Sequence, residues 1–272
     1  MKKPDYSTPM VMGVLNVTPD SFSDGGSYIN PDTAINRVES MVREGASIID
    51  IGGESTSPGS DFISTKEELR RVTPVLKAIA SRFPDTLFSI DTTKYEVAKS
   101  ALDCGAHIVN DVSGLRKEPR FASLCAEYKA TLVIMHTQGD PKTMQHNPLY
   151  KDVVKEVDAF FTSRIDQATQ QGCNNIILDP GIGFGKTLDH NIALLANLAK
   201  FHVHGWPLMV GASRKASIGQ ILNGRPVGGR LAGTLAVHYD ALTKGCKIIR
   251  VHDVKEAFDT ILVYNAIYSL NN

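Results

Sequence analysis

Polar and charged side chains stand at the ends of short apolar runs throughout this chain of 272 residues. The run MVMGVL precedes Asn16, the run IILD ends in Asp179, and the segment IIRVHD carries Arg250 and His252. Carboxylates and amides accept hydrogen bonds from N–H donors, whereas guanidinium and imidazole groups bind anions. Any one of these residues is equally consistent with the solvated start of a loop. Their repetition favours a shared site, formed by Asn16, Asp50, Asp91, Asn110, Asp111, His136, Asp179, Ser213, Arg250 and His252.

Eight apolar runs alternate with amphipathic segments, and this alternation predicts the fold. Continuously apolar runs are typical of parallel strands that are buried on both faces. Eight strand–helix units in about 250 residues predict a TIM (β/α)8 barrel, here one domain over residues 1–272. A doubly wound open sheet is the alternative, but the count of eight and the polar strand ends favour the barrel, whose strands all end at one rim. The predicted strands are 10–16, 47–53, 87–92, 107–111, 131–136, 175–180, 207–213 and 247–253. The predicted helices include 31–45, 159–171, 191–201 and one that begins after Asp253.

The composition argues against several classes of partner. The chain has 29 basic and 29 acidic residues and no long run of either sign, so we expect neither nucleic acid nor an anionic membrane as a partner. The apolar run 10–15 is short and lacks a small-residue cleavage pattern, so we expect no signal peptide and no membrane span. The scattered cysteines lack C-x-x-C spacing, which predicts no disulfide framework or zinc site and favours a cytoplasmic setting. They are Cys104, Cys125, Cys173 and Cys246.

The segment LDPGIGFGKT, residues 178–187, is similar to a phosphate-binding loop but departs from it. A Walker A motif needs a glycine five residues before the glycine of the GK pair, and Pro180 stands there. The next helical pattern also starts only near Asp189. We therefore interpret the segment as a strand end that carries Asp179, followed by a glycine-rich turn around Phe184.

Basic side chains follow the last two predicted strands. The segment GASRK places Arg214 and Lys215 after the seventh strand, while Arg250 and His252 lie two apart and so face the same side of the eighth. Loops at this place in a barrel often hold an anion. Together with Asn16 they predict a phosphate or pyrophosphate site, with a magnesium ion shared between Asn16 and the phosphates. The alternative is that these cations only neutralise the nearby aspartates.

Three residues supply acceptor atoms to the same predicted rim: Asp91 in SIDT, Asn110 in VND and Asp179 in LDP. A carboxylate pairs bidentately with two parallel N–H donors, so these residues suit a ligand with an amidine-like edge. Paired carboxylates also perform glycoside hydrolysis, although such sites seldom hold this much positive charge. We interpret Asp50 and Glu54, in DIGGES, as hydrogen-bonding supports behind the residues that contact the ligand.

Seven motifs, in this order, closely resemble the dihydropteroate synthase family of folate biosynthesis. They run from Met12 to about Asp253 and are MGVLNVTPDSFSDGG, DIGGEST, SIDT, VNDVSG, LDPGIGFGK, SRK and RVH. The resemblance implies a TIM barrel that joins 6-hydroxymethyl-7,8-dihydropterin pyrophosphate to 4-aminobenzoate and releases pyrophosphate. It also implies a target of sulfonamides, which are analogues of aminobenzoate.

The resemblance further assigns the pterin edge to Asp91, Asn110 and Asp179. Lys215 would reach the pterin carbonyl and ring nitrogen, and Arg250 would stack on the ring.

For the rest of the reaction, the resemblance implies that Asn16, Arg250 and His252 bind pyrophosphate together with magnesium. The implied catalytic residues are Lys215, Arg250, His252 and Asn16. The aminobenzoate would be bordered by Thr56, Pro58, Phe184 and the stem of Lys215.

Two positions depart from the pattern of the family. Ser57 stands where most members carry arginine, and Ala216 stands where most carry serine. Both changes bear on aminobenzoate and sulfonamide affinity rather than on pterin binding. Two other functions remain as alternatives: a pterin-dependent methyltransferase, which needs no pyrophosphate site, and a non-catalytic pterin-binding relative.

The segment 230–244 predicts a helix with apolar residues on more than one face. A barrel helix needs only one apolar face, so the excess, like the resemblance, predicts a homodimer.

Overall fold

A closed ring of eight parallel strands forms the centre of the protein. The computed structural model describes residues 2–18, 31–55, 59–140 and 142–268. The strands are β1 (Met10–Asn16), β2 (Ile48–Gly52), β3 (Leu87–Asp91), β4 (Ile108–Asp111), β5 (Thr131–Met135), β6 (Ile176–Asp179), β7 (Met209–Val210) and β8 (Ile248–Val251). Neighbours pair in parallel from β6 down to β1, then β1 pairs with β8 and β8 with β7. A bridge between Leu178 and Leu208 closes the ring, which confirms the predicted TIM barrel.

Helices cover the outside of the ring, and at least one follows each strand. They are α1 (Pro31–Arg43), α2 (Thr65–Arg82), α3 (Tyr95–Asp103), α4 (Phe121–Tyr128), α5 (Val153–Gln170), α6 (Leu188–Ala196), α7 (Ala216–Ile221), α8 (Leu231–Thr243) and α9 (Val254–Tyr268), with 3₁₀ turns at Leu198–His204 and Val227–Gly229. Among the described residues, no helix has both the length and the apolar character needed to cross a membrane.

Two helices differ from their predicted bounds because of their caps. The helix predicted at 159–171 begins at Val153, since the Asp152 carboxylate accepts hydrogen bonds from the backbone N–H groups of Val154 and Lys155. The helix predicted at 191–201 begins at Leu188, after a capping box formed by Thr187 and His190. It ends at Ala196, and a 3₁₀ turn continues the chain.

An apolar layer fills the amino-terminal half of the barrel interior. Side chains along a strand point alternately inward and outward, so the strands supply this layer separately from the larger core beneath the helices. Tyr6, which precedes β1, packs against the layer. Its members are Met10, Met12, Ile48, Leu87, Ile108, Val133, Ile177, Met209 and Ile248.

A polar layer lies two residues further along the strands. Asp50, Asn110, Asp179 and Arg250 follow Ile48, Ile108, Ile177 and Ile248 by two positions, and therefore share their inward direction. The strand register places Asp91 beside Asn110 and Met135 beside Asp179. The barrel thus brings polar residues from distant parts of the sequence into one ring.

Two strand-end residues do not join that ring, so the expectation that all of them would converge is wrong for Asp111 and His136. Both lie one position away from the inward-facing residues. The Asp111 carboxylate accepts hydrogen bonds from the N–H groups of Ser113 and Leu115, which ends β4 in a turn. The His136 ring packs edge-on against Phe160 of α5, with 4.9 Å between centroids.

Candidate active site

The carboxyl ends of the strands surround a cavity with a volume of about 890 Å³, a size typical of small-molecule sites. Its wall combines acidic, amide and basic side chains with one aromatic ring. The structure brings together most of the predicted site residues here: Asn16, Asp91, Phe184, Ser213, Arg214, Lys215, Ala216, Arg250 and His252 line the cavity.

The Arg250 guanidinium lies between two buried carboxylates at the floor of the cavity. Its Nε donates to Asp50 Oδ2 at 2.7 Å, and a terminal nitrogen donates to Asp91 Oδ2 at 2.9 Å. Burial raises the pKa of the Asp91 carboxyl, whereas the Arg250 cation lowers it and so favours the ionised form. Hydrogen-bonded ion pairs of this kind are how a buried charge is retained. Asp50 is therefore the residue that holds Arg250 in place.

Asp50 also fixes the orientation of Asn110. The Asn110 side-chain NH2 group donates to Asp50 Oδ2 at 3.0 Å, so its amide oxygen is left to accept from elsewhere. Within the described part of the chain, Asp50 Oδ1, Asp91 Oδ1 and Asn110 Oδ1 are buried and make no hydrogen bond. Unpaired buried acceptors are costly. Together they favour a ligand that brings several N–H donors.

Asp179 ends β6 in the same ring. Its Oδ1 accepts a hydrogen bond of 2.7 Å from the N–H of Gly181, which starts the glycine-rich turn. Burial raises the pKa of this carboxyl, whereas the Gly181 hydrogen bond and the Lys215 and Arg250 cations lower it. The surrounding cations therefore favour the ionised form that can accept two N–H donors.

Lys215 reaches into the cavity from the start of α7. Its ammonium lies 3.9 Å from the centre of the Phe184 ring, a cation–π contact. Burial, followed by the Arg250 charge, lowers the pKa of Lys215 to about 8. Lys215 is thus still protonated at neutral pH. Its side chain lies between the Phe184 ring and the carboxylates at the floor of the cavity.

His252 and Ser213 form the outer rim beside Arg214. The Ser213 hydroxyl lies 3.0 Å from His252 Nδ1 and accepts from the His252 backbone N–H at 3.2 Å. Burial and the neighbouring arginine cations lower the pKa of His252 to about 4, so the imidazole is neutral at pH 7. Arg214 is held away from the cavity floor by a bidentate ion pair with Asp253.

Glu54 fixes the start of the long segment that follows β2. One carboxylate oxygen accepts from the backbone N–H of Ile63 at 2.7 Å, and the other lies 3.1 Å from the Lys94 ammonium. Lys94 also pairs at 2.5 Å with Glu68, which is fully buried in α2. Sequence reasoning had placed Glu54 in a supporting position but missed Lys94 and Glu68. The local sequence pattern does not relate Glu54, Glu68 and Lys94, because they lie on segments that only the folded barrel brings together.

Thr56 and Pro58 of the expected aminobenzoate border lie outside the described residues, as does Ser57, the position that departs from the family pattern. Ala216 is the exposed first residue of α7 and lines the cavity next to Lys215.

Comparison with known proteins agrees with this combination of barrel and acceptor-lined cavity. Residues 12–252 match the family described as Pterin binding enzyme. The dihydropteroate synthase of Escherichia coli strain K12 is 49% identical over 267 residues, which cover 97% of this chain and 94% of the relative.

Two solved structures extend the similarity to three dimensions. The dihydropteroate synthase of Yersinia pestis, solved as a sulfonamide drug complex, has a TM-score of 0.91 at 46% identity, covering 98% of this chain and 96% of that one. That of Xanthomonas albilineans, solved with 4-aminobenzoic acid, has a TM-score of 0.90 at 39% identity, covering 97% and 94%. The chain therefore belongs to the pterin-binding enzyme family and, within it, to the dihydropteroate synthases, which are transferases of folate biosynthesis.

Proposed function

We propose that this chain condenses 6-hydroxymethyl-7,8-dihydropterin pyrophosphate with 4-aminobenzoate, giving 7,8-dihydropteroate and pyrophosphate. The observation that carries the proposal is that the unpaired, buried Asp91 Oδ1 lines one cavity together with the Lys215 and Arg250 cations, with the unpaired oxygens of Asp50 and Asn110 in the adjoining polar ring. The first group suits the N–H donors of a pterin, and the second suits a pyrophosphate. A single ligand that has both N–H donors and a pyrophosphate group explains why carboxylates and cations lie together in this barrel.

The pterin edge is bound by Asp91, Asn110 and Asp179. Asn110 presents its oxygen because Asp50 takes its NH2 group. Asp179 accepts the parallel donors of the aminopyrimidine edge, and Lys215 donates to the pterin carbonyl and ring nitrogen. Arg250 remains paired with Asp50 and Asp91 at the floor. Stacking of its guanidinium on the ring belongs to the bound state.

The pyrophosphate lies between the outer rim and the Arg250 guanidinium, and it is bound by Asn16, Lys215, Arg250 and His252. His252 is neutral, so it supplies an N–H donor, while Lys215 and Arg250 supply charge. A magnesium ion would be held by the Asn16 side-chain oxygen and the phosphate oxygens. One neutral protein ligand suits an ion whose other ligands are phosphate and water. Such an ion would neutralise charge on the leaving group.

The reaction proceeds by departure of pyrophosphate followed by attack of the arylamine. The C–O bond to pyrophosphate breaks and leaves a cation delocalised over the pterin. The amine nitrogen then bonds to the exocyclic carbon and loses a proton to water. The protein contributes leaving-group stabilisation and positioning, with Phe184 and the Lys215 stem beside the arylamine. Sulfonamides occupy the same position as competitors.

Release of pyrophosphate on mixing the purified protein with both substrates and magnesium tests the proposal. A pterin-dependent methyltransferase or a non-catalytic pterin-binding protein would bind the pterin and release none above background. Omission of 4-aminobenzoate is the matched control, because the pterin pyrophosphate also hydrolyses slowly in water.

We also propose a homodimer formed through α8 and α9, in a cytoplasmic protein. Apolar side chains on this side are about half exposed: Leu262 50%, Val263 54% and Ile267 49%. Ala232 and Ala236 of α8 are also exposed, and the two helices pack together. Exposed apolar residues on two neighbouring helices are typical of an interface between copies.

Light scattering at micromolar concentration should give twice the mass of one chain. Val263→Lys should halve that mass, whereas Val203→Lys, at a 78% exposed position outside α8 and α9, should leave it unchanged. A monomeric wild-type protein would contradict the proposal.

A further inference from the structure

Lys186 is a buried lysine that the reaction as proposed does not use. It ends the motif GIGFGK, and only 3% of its surface is exposed. Its ammonium donates to three backbone carbonyl oxygens: His136 at 3.2 Å, Gly181 at 2.9 Å and Phe184 at 2.9 Å. An ammonium has three N–H donors, so this set satisfies all of them.

The three carbonyls belong to two segments that pack against each other. His136 follows β5, while Gly181 and Phe184 belong to the turn that follows β6. Gly181 and Gly185 have positive φ angles, and a Cβ on either would clash with the carbonyl of His136 or Gln138 respectively. The turn therefore lies directly against the backbone after β5, and the Lys186 ammonium joins the two.

That turn carries two parts of the active site. At its start, Asp179 accepts from the N–H of Gly181. At its tip, the Phe184 ring faces the Lys215 ammonium, and Gly183 lies against the Lys215 stem. Any shift of the turn therefore moves both the aromatic wall and the carboxylate.

We propose that Lys186 is a positioning residue of the reaction: its ammonium fixes the turn that orients Phe184 towards the arylamine and supports Asp179 beneath the pterin. The inference rests on the proposed function, because it assigns Phe184 and Asp179 to the two substrates. The lysine of this GK pair thus binds the protein's own carbonyls rather than the phosphates of a nucleotide.

Charge is the second contribution of Lys186. Three cations face Asp179, namely Lys215 at the start of α7, Arg250 on β8 and Lys186 in the turn, and each lowers the pKa of its carboxyl. Lys186 itself faces Asp179, Lys215 and Arg116, and burial lowers its own pKa to about 7, so its positive charge is present below that pH. Removal of the Lys186 charge therefore makes Asp179 easier to protonate and should move the acid limit of pterin binding to higher pH.

The test compares Lys186→Met, Lys186→Arg and Ile79→Ala. Ile79 is a fully buried residue of α2, so its truncation provides a destabilised control away from the site. Lys186→Met should raise the KM for 4-aminobenzoate about tenfold and shift the acid limit of pterin binding upward. Lys186→Arg should keep the acid limit, because the charge remains, but still raise the KM. Ile79→Ala should lower the melting temperature and change neither quantity.

An unchanged KM together with an unchanged acid limit in Lys186→Met would overturn the proposal. So would the same changes in Ile79→Ala, because they would then follow from lost stability alone. If the wild-type protein releases no pyrophosphate, the proposed function fails by itself. Pterin binding measured by calorimetry across pH still tests Lys186 in that case, since it needs no turnover.

Discussion

At the scale of single residues, Asp50 explains why the floor of the cavity is ordered before any ligand binds. It accepts from both Asn110 and Arg250, and it is fully buried. Loss of one partner would leave an uncompensated buried charge, which is strongly destabilising. Asp50 therefore orders the cavity floor from within the same polar ring as Asn110 and Arg250.

The role of Asp179 as the acceptor for parallel donors can be tested by Asp179→Asn. An amide cannot accept two N–H bonds through two oxygens, so donors of the pterin would be left unpaired at about 1–3 kcal/mol each. Calorimetry should show at least a tenfold loss of pterin affinity, with an unchanged circular dichroism spectrum. Asp189→Asn, at an exposed position in α6, is the matched control. Wild-type affinity in Asp179→Asn would exclude this role.

Lys215 predicts a pH dependence for pyrophosphate binding. Burial lowers the pKa of Lys215 to about 8, so its positive charge is present below that pH and lost as the pH rises through it. Affinity for pyrophosphate should therefore fall between pH 7 and pH 9. Bound pyrophosphate favours the charged form, which moves the transition upward in the complex.

Because pyrophosphate itself titrates, the comparison for this prediction is Lys215→Met. The variant should bind more weakly at neutral pH and lose the part of the pH dependence that comes from the lysine. Parallel binding curves for the two proteins between pH 7 and pH 9 would refute the assignment.

At the scale of elements, the segment between β2 and α2 is held at both ends by one carboxylate. Glu54 accepts from Ile63, nine residues later, and pairs with Lys94, which precedes α3. Further along, the Lys117 ammonium lies 4.6 Å from the Phe62 ring centre, and Lys142 pairs with Asp61. Cations from three other segments thus reach this loop. The sequence predicted a loop at the rim, but not these partners, because they come from other strands.

Lys94→Met tests this arrangement. The substitution leaves Glu68 buried without its cation, which should cost about 3–5 kcal/mol of stability, and frees Glu54 at the base of the segment. The KM for 4-aminobenzoate should rise while pterin affinity stays the same. Lys99→Met, which removes an exposed lysine of α3, should change neither the KM nor the pterin affinity.

A double variant, Lys94→Met with Glu68→Met, separates stability from positioning. Denaturant unfolding should show recovered stability, because the uncompensated charge is gone. The KM should remain raised, because Glu54 still lacks its partner. Recovery of both quantities together would contradict a positioning role for Lys94.

At the scale of the whole molecule, the sequence was sufficient to predict the barrel, because each strand is short and apolar and a polar residue lies at or near its end. Every predicted strand overlaps an observed one. Side chains alternate along each strand, so only every second residue faces into the barrel. Asn110 therefore faces inward, and its neighbour Asp111 does not. The ion pairs of Arg250 could not be predicted, since they join residues 159 and 200 positions apart.

The active site lies at the carboxyl ends of the strands, whereas the amino ends contribute to stability. Tyr6 lies at the amino ends. Its ring packs against the apolar layer at the amino ends of the strands, burial raises the pKa of its hydroxyl, and that hydroxyl bonds to the Thr131 side chain. In a barrel of this kind the opposite end carries the active site. Changes at Tyr6 should therefore alter unfolding without altering the reaction.

Tyr6→Ala should lower the free energy of unfolding by about 2–3 kcal/mol, less than for a fully buried aromatic residue because Tyr6 is only partly buried. Tyr6→Phe keeps the ring and loses only the hydrogen bond, so it should cost about 1 kcal/mol. Urea unfolding measures both, and pyrophosphate release at a temperature where all three proteins are folded should give equal kcat and KM. A changed KM for either substrate would show that the amino-terminal end of the barrel is coupled to the site, and the division between the two ends would then be wrong.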